Sequence, residues 1–260
     1  MYEFIEVEFK DGVGRLTLNR PDKRNALRRD FIEEIKTGIA ELKAHDGLRV
    51  FVLAANGSVF CAGMDLEEMQ QRAQSDDGKA EWLKDSEVYC DVLEQLFSLP
   101  VPTIAAVSGP ALAGGMGLIL ACDIMIASDN AFFMLPEPMR GITAAMVTPL
   151  LIHRAGTGPA TYMLLSGERI SMSSAAKMSL CHIVTAPDAF AERLEKLTKA
   201  ILSGSKSAWA ITKKHIEACT QANVIEQIKM SASVSAQARE TDDAREGLAA
   251  FLEKRDPNWQ

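Results

Sequence analysis

Three short segments carry residue types whose spacing suits chemistry. In Phe60-Cys61-Ala62-Gly63-Met64-Asp65-Leu66, small residues let a ligand approach the backbone. Asp65 is a helix N-cap, and the helix start behind it leaves amide N–H groups free for an anion or a developing oxyanion. Gly109-Pro110-Ala111-Leu112-Ala113-Gly114-Gly115-Met116-Gly117-Leu118 is a second strand-to-helix turn of this kind. Its glycines do not follow G-x-G-x-x-G, and no Gly-Lys-Ser/Thr follows, so dinucleotide and P-loop readings fail. Two separate loops offering free N–H groups can jointly hold one oxygen, as stabilisation of a thioester enolate demands. The third segment, Leu135-Pro136-Glu137-Pro138, fixes a carboxylate on a stiff backbone. Buried, Glu137 is an acid or base for use near neutral pH; on residue type alone it reads more readily as an exposed turn glutamate.

The elements that must position these segments alternate between strand and helix. Strands are expected near 2–9 and 13–18, with a Gly12–Gly14 turn between them. An amphipathic helix is expected over 27–43, with Leu27, Phe31, Ile35, Ile39 and Leu42 on one face, and a fully buried strand over 49–55. The polar stretch 74–79 interrupts the next helical region. A strand over 103–107 leads into the Gly-rich turn and an apolar helix over 115–121, then short strands near 124–127 and 131–134. From about residue 142 the pattern is mostly helical, and 196–254 is amphipathic helix rich in Ala, Ser and Met, suited to covering its own core or a neighbouring subunit. Nearly all-apolar strands separated by helices predict an α/β fold with mainly parallel pairing. The division expected is a core over 1–195 with a helical region over 196–260.

Composition narrows the class. With 260 residues, 47% hydrophobic and 24% charged, the chain can bury one large core. A net charge of -7 argues against general nucleic-acid binding. The basic set Arg15, Arg20, Lys23, Arg24, Arg28 and Arg29 is then read as meeting nucleotide phosphates and solvent rather than RNA. No apolar run reaches membrane-spanning length. The opening MYEFIEVEFK reads as a strand rather than a leader, and five scattered cysteines read as reduced thiols, so a cytoplasmic location is expected. No metal site is indicated, and the four histidines pair with no Ser or Cys motif.

The segment Asn19–Leu27, the loop FCAGMDL, the loop ALAGGMGL followed by Ala121-Cys122-Asp123, the pair Pro136-Glu137, and the tail Asp242–Gly247 through Phe251–Arg255 together resemble the enoyl-CoA hydratase/isomerase (crotonase) family, in its order and over almost the whole chain. The resemblance implies a crotonase (ClpP/crotonase-like) spiral of ββα units with a C-terminal helical trimerisation region, assembled as a homotrimer or a dimer of trimers. It implies an acyl-CoA thioester as substrate, with coenzyme A part of that substrate and no further cofactor. Backbone N–H groups of Met64 and Gly114 would form the oxyanion hole, with Glu137 as acid/base. Ala62, Asp65 and Leu66 would line the pantetheine and acyl channel, and Lys23, Arg24 and Ala26 would lie near the nucleotide. Phe251 and Lys254 resemble tail residues that reach the coenzyme A of an adjacent subunit.

One position departs from the family pattern. Typical hydratases use two glutamates around one water; Glu137 matches the second, and the first falls on Gly117. A single glutamate is the pattern of Δ3,Δ2-enoyl-CoA isomerases. The glycine at 117 and the stretch Glu137–Pro149, with Ala and Pro in place of a Gly-rich turn, look more like methylglutaconyl-CoA hydratases. The reading is a 2-enoyl-CoA hydratase, with a branched acyl group; the alternatives are the isomerase and, from another class, an acyl-CoA-binding protein that lost its chemistry. Glu68, Glu87 and Asp91, acids on helical stretches, are the candidates to approach the site.

Overall fold

The computed structural model describes residues 2–74, 77–220 and 223–258. Strand β1 (Ile5–Lys10) turns back as β2 (Val13–Leu18), after which helix α1 (Arg29–Lys43) leads to β3 (Val50–Ala55). Helices α2 (Leu66–Ala73) and α3 (Gly78–Phe97) follow; Ser75 and Asp76, within the expected interruption, lie outside the described residues. Next come β4 (Thr103–Val107), β5 (Ala111–Leu112), α4 (Gly114–Leu120), β6 (Ile124–Ser128) and β7 (Phe132–Met134). A short 3-10 helix, Glu137–Arg140, precedes α5 (Thr148–Ala155) and α6 (Thr157–Ser166). The chain then runs through β8 (Ile170–Ser171), α7 (Met172–Lys177), β9 (Ile183–Thr185), α8 (Phe190–Leu202), α9 (Lys206–Thr220), α10 (Val224–Ala238) and α11 (Asp242–Glu253).

Among the described residues, one sheet has the order β1-β2-β3-β4-β6-β9, antiparallel only between β1 and β2. A smaller sheet has the order β5-β7-β8. The continuous apolar run of β3 follows from burial on both faces. Phe51 and Leu53 point into the main core with Phe31, Ile35 and Ile39 of α1, whereas Val50 and Val52 join Ile104, Ile126 and the α8 residues Leu194 and Ile201 on the other side. The edge strand β1 needs one apolar face only: Ile5 is buried while Glu6 and Glu8 stay outside.

The region after residue 142 is less purely helical than its sequence pattern, because β8 and β9 are too short to set a period of two. Residue 195, the expected boundary, falls inside α8. The tail folds back on the core: Ile228 of α10 is fully buried in the main cluster with Val92 and Leu96 of α3. Lys213 of α9 reaches Asp123 at 2.6 Å, and the same Asp123 oxygen accepts from the Thr103 N–H and hydroxyl. The Ala121-Cys122-Asp123 segment therefore anchors strand ends and tail.

Helix α11 bears directly on Glu137. A Cβ on Gly247 would stand 2.4 Å from the Arg140 carbonyl carbon, and one on Gly141 would stand 2.2 Å from the Asp243 oxygen. Backbone thus crosses backbone at the end of the Glu137–Arg140 turn, where only glycine fits. Among the described residues, no helix is long and apolar enough to cross a membrane.

Candidate active site

A cavity of about 320 Å³ opens where the two glycine-containing loops, the Glu137 turn, α3 and the tail meet. Its size suits a small-molecule group. The two loops are locked to each other by close backbone approach. Gly63 has φ +90, and a Cβ there would be 2.5 Å from the Ala113 Cβ and 3.2 Å from the Gly114 nitrogen. Gly115 is equally confined, with its would-be Cβ 2.6 Å from the Cys61 carbonyl oxygen. Ala113 takes φ 50, ψ -126, a strained conformation for a residue with a side chain, and so turns the chain into α4.

The consequence is a pair of unpaired donors. Leu27 N–H bonds Gly63 O, Asp65 N–H bonds Leu27 O and Ala113 N–H bonds Met134 O, but among the described residues the N–H groups of Met64 and Gly114 have no partner. Both residues line the cavity. Gly114 is buried and Met64 half-buried, and amide donors left open at such positions are the exception in folded chains.

Glu137 faces the same cavity. It is 7% exposed, against the expectation of a solvated turn glutamate, because α11 packs on its turn. Its Oε2 has no hydrogen-bond partner among the described residues. Burial pushes its carboxyl up to about 7, opposed by a backbone hydrogen bond and by the charge of Arg140. A carboxyl that titrates near neutrality and has a free oxygen is equipped to take and return a proton.

The space beside Gly117, where the resemblance would put a second carboxylate, is occupied by another group. A Cβ built on Gly117 would lie 2.2 Å from the Tyr89 hydroxyl oxygen and 3.3 Å from its Cζ. The phenol, 1% exposed, donates a short hydrogen bond to the Gly114 carbonyl. Sequence reasoning missed Tyr89; α3 offered Glu87 and Asp91 as more obvious acids. Neither they nor Glu68 restore a second carboxylate: Asp91 pairs with Lys36, Glu68 pairs with Arg72, and Glu87 is exposed.

The full sequence of the chain matches the enoyl-CoA hydratase/isomerase family over residues 8–260. The chain belongs to that family. The mitochondrial enoyl-CoA hydratase of Pongo abelii is 31% identical over all of this chain and 88% of its own length. The crystal structure of an enoyl-CoA hydratase from Mycobacterium avium subsp. paratuberculosis K-10 superimposes with a TM-score of 0.87 at 27% identity, covering 99% of both chains. Another enoyl-CoA hydratase structure, from Mycobacterium avium, gives 0.85 at 29% identity over 100% of both chains. The fold is therefore the crotonase fold, and the protein is an enzyme of the enoyl-CoA hydratase/isomerase type.

Within this family frame, the sequence-derived residues can be placed. Ala62, Leu66 and Ala26 line the cavity beside Met64. Asp65 lines it too, but its carboxylate is engaged by Arg20 at 2.8 Å and by the N–H groups of Glu67 and Glu68 as the cap of α2. Lys23 and Arg24 sit exposed at the mouth, Lys23 beside Glu67 at 3.6 Å. Phe251 reaches the cavity of its own chain, under the Arg140 guanidinium, which stands 4.4 Å from the ring centre. Lys254 ends α11 with φ 58 and is not among the residues lining the cavity.

The basic set does not form one patch, since Arg20, Arg28 and Arg29 each pair with a carboxylate. Cys61 lies next to the loop with its thiol pushed up to about 12 by burial, which disqualifies it as a nucleophile. One histidine differs from expectation: His215 Nε2 lies 3.7 Å from Cys219 Sγ, one turn apart on an exposed stretch of α9. No cluster of three or more metal-ligating side chains occurs among the described residues.

Proposed function

We propose that this family member is a hydratase that adds water across the double bond of a 2-enoyl-CoA thioester, with Glu137 as its one acid/base. The observation that carries the reading is the buried carboxyl with an unpartnered oxygen, lining the same cavity as two unpaired backbone donors. The Met64 and Gly114 N–H groups take the thioester oxygen. Water adds to C3 as Glu137 accepts its proton, and the double-bond electrons move to the thioester oxygen as an enolate. Collapse of the enolate draws the proton from Glu137 to C2, so one O–H bond breaks while one C–O and one C–H bond form. The two N–H groups act where charge develops, the largest single contribution in such reactions. The chemistry calls for no metal or redox cofactor, coenzyme A being part of the substrate.

The acyl group in this reading is short and branched, resembling methylglutaconyl-CoA. Ala144, Ala145 and Val147 line the cavity with small side chains. Arg239 lines it as well, 7% exposed, with burial lowering its guanidinium to about 10. Its hydrogen bond runs to the Trp82 carbonyl at 3.4 Å, and no carboxylate lies within ion-pair distance among the described residues. A buried cation facing an acyl pocket suits a substrate carboxylate. Coenzyme A at the mouth would meet Lys23 and Arg24, and the trimeric or hexameric assembly belongs to the same reading.

The isomerase reading keeps one specific support: a single carboxylate can carry a proton between C2 and C4 of a 3-enoyl thioester. Proton NMR in deuterated water, with crotonyl-CoA, 3-hexenoyl-CoA and 3-methylglutaconyl-CoA, separates the two. A hydroxyacyl product, largest for the methylglutaconyl thioester, is expected. Double-bond movement without water addition would make the protein an isomerase, and binding without turnover would make it an acyl-CoA carrier.

A further inference from the structure

Tyr89 is a buried polar side chain that the reaction as written does not use. Its ring rises from the middle of α3 into the main core, with Cζ 3.6 Å from where a Cβ on Gly114 would stand. Its hydroxyl bonds the carbonyl of Gly114, the residue whose N–H faces the cavity. The space around that hydroxyl is the space a side chain at 117 would need. Gly117 and Tyr89 are therefore alternatives: a glutamate at 117 cannot enter while the phenol is there.

The Gly114 segment needs an external hold. It follows a residue at φ 50, it has no side chain of its own, and the Gly114 N–H has no partner among the described residues. Strained backbone persists only where its surroundings over-determine it. Gly63 confines the loop from one side through the Ala113 methyl; Tyr89 holds it from the other by a hydrogen bond from a side chain that is 1% exposed, where such a bond is strong.

We propose that Tyr89 is a positioning residue for catalysis: its phenol, lodged in the slot of the absent side chain at 117, fixes the Gly114 residue so that its N–H stays aimed at the thioester oxygen. The inference rests on the oxyanion role given above to Gly114. It explains how a site with one carboxylate is built rather than eroded, since the group that excludes the second glutamate also stiffens the oxyanion hole. With the enolate held more firmly, Glu137 alone suffices to move the proton.

The test uses the full chain and two readouts. Tyr89→Phe keeps the ring and removes the hydroxyl. Steady-state kinetics on the thioester that the wild type turns over are expected to show kcat lower by about ten- to a hundredfold with KM within a few-fold, the loss on misaligning one oxyanion donor. The infrared carbonyl band of bound butyryl-CoA, labelled with carbon-13 at the thioester, is expected to shift back toward its position in water. This second readout needs no turnover, so it tests Tyr89 even if the hydratase reading fails. Gly117→Ala should displace the phenol and give the same carbonyl shift, with a lower melting temperature. Adding Tyr89→Phe to Gly117→Ala should recover the melting temperature and leave the carbonyl band shifted. An unchanged carbonyl band in Tyr89→Phe, or a defect confined to KM, overturns the proposal and makes Tyr89 a core residue.

Discussion

The inner end of the cavity and its mouth are held together by different physics. At the inner end, position is fixed by glycines in close contact: Gly63 against the Ala113 methyl, Gly115 against the Cys61 carbonyl, and Gly247 against the Arg140 carbonyl, all at separations that admit no Cβ. The groups to which the proposed function gives the chemistry there, Glu137 Oε2 and the N–H groups of Met64 and Gly114, have no hydrogen-bond partner among the described residues. At the mouth, Lys23 and Arg24 are exposed, and Lys23 has already found an acid in Glu67. A rigid interior with open valences fits differential binding of a transition state, whereas solvated ions at the rim fit capture of a charged handle. Changes at the two ends should therefore fail in different parameters.

The largest expected effect is at Glu137. Glu137→Gln keeps the shape and removes the proton carrier, and should lower kcat by about 10²–10⁴-fold while leaving thioester affinity largely intact. Unchanged turnover would refute the mechanism. In the wild type, the ionised carboxyl is the form that accepts the proton from water, so kcat/KM should rise with pH through about 7, the value to which burial lifts Glu137. That inflection should vanish in the variant.

The same burial has a stability consequence of opposite sense. Between the ordinary 4.5 and about 7, the folded chain keeps a proton on Glu137 that the unfolded chain has released. Stability is thus lost as pH rises across that window, by up to about 3 kcal/mol. Glu137→Gln, which has no charge to bury, should be more stable than wild type at pH 8 by part of that amount, with the gap closing at pH 4 to 5. Urea melts at both pH values measure it. A variant less stable at pH 8 would mean that Glu137 is not a strained, function-bearing group.

Next in size is the loop contact. Gly63→Ala places a methyl 2.5 Å from the Ala113 Cβ at a residue with φ +90. The loops must part, and loss of one aligned oxyanion donor should lower kcat by about 10²-fold or more, with a stability cost of about 1–3 kcal/mol for strain and overpacking. Wild-type kcat in this variant would show that the two N–H groups need not be held together.

The two ends also differed in how legible they were in the sequence. The strand-to-helix turns, the cap at Asp65, and the pair of glycine-bearing loops are local features, written in spacing. The sheet and its parallel order followed from apolar runs such as 50–55, whose two faces enter separate cores. What stayed hidden depends on partners far along the chain. Glu137 looks solvated until α11, more than 100 residues later, crosses its turn through Gly247. Tyr89 looks like any core aromatic on a helix, because its value lies in a bond to Gly114, 25 residues on. Arg239 follows a helix end and looks like an ordinary surface cation, yet it is buried against the cavity. Short strands such as β8 and β9 pair without enough length to announce themselves.

The smallest expected effect is at the mouth, and it sharpens the contrast most. Lys23→Ala and Arg24→Ala each remove an exposed charge, and exposed ion pairs are worth about 0–1 kcal/mol. Each should raise KM for a coenzyme A thioester by no more than about fivefold, leave kcat unchanged, and lose even that effect when salt is raised from about 0.05 to 0.5 M, where the screening length falls to a few ångströms. A fall in kcat at either position would mean that the nucleotide end of the substrate is coupled to the oxyanion loops, through the Ala62 N–H that bonds the Arg24 carbonyl. The rim would then be part of the machinery that aligns the reacting atoms, and the separation between a capturing mouth and a rigid interior would have to be given up.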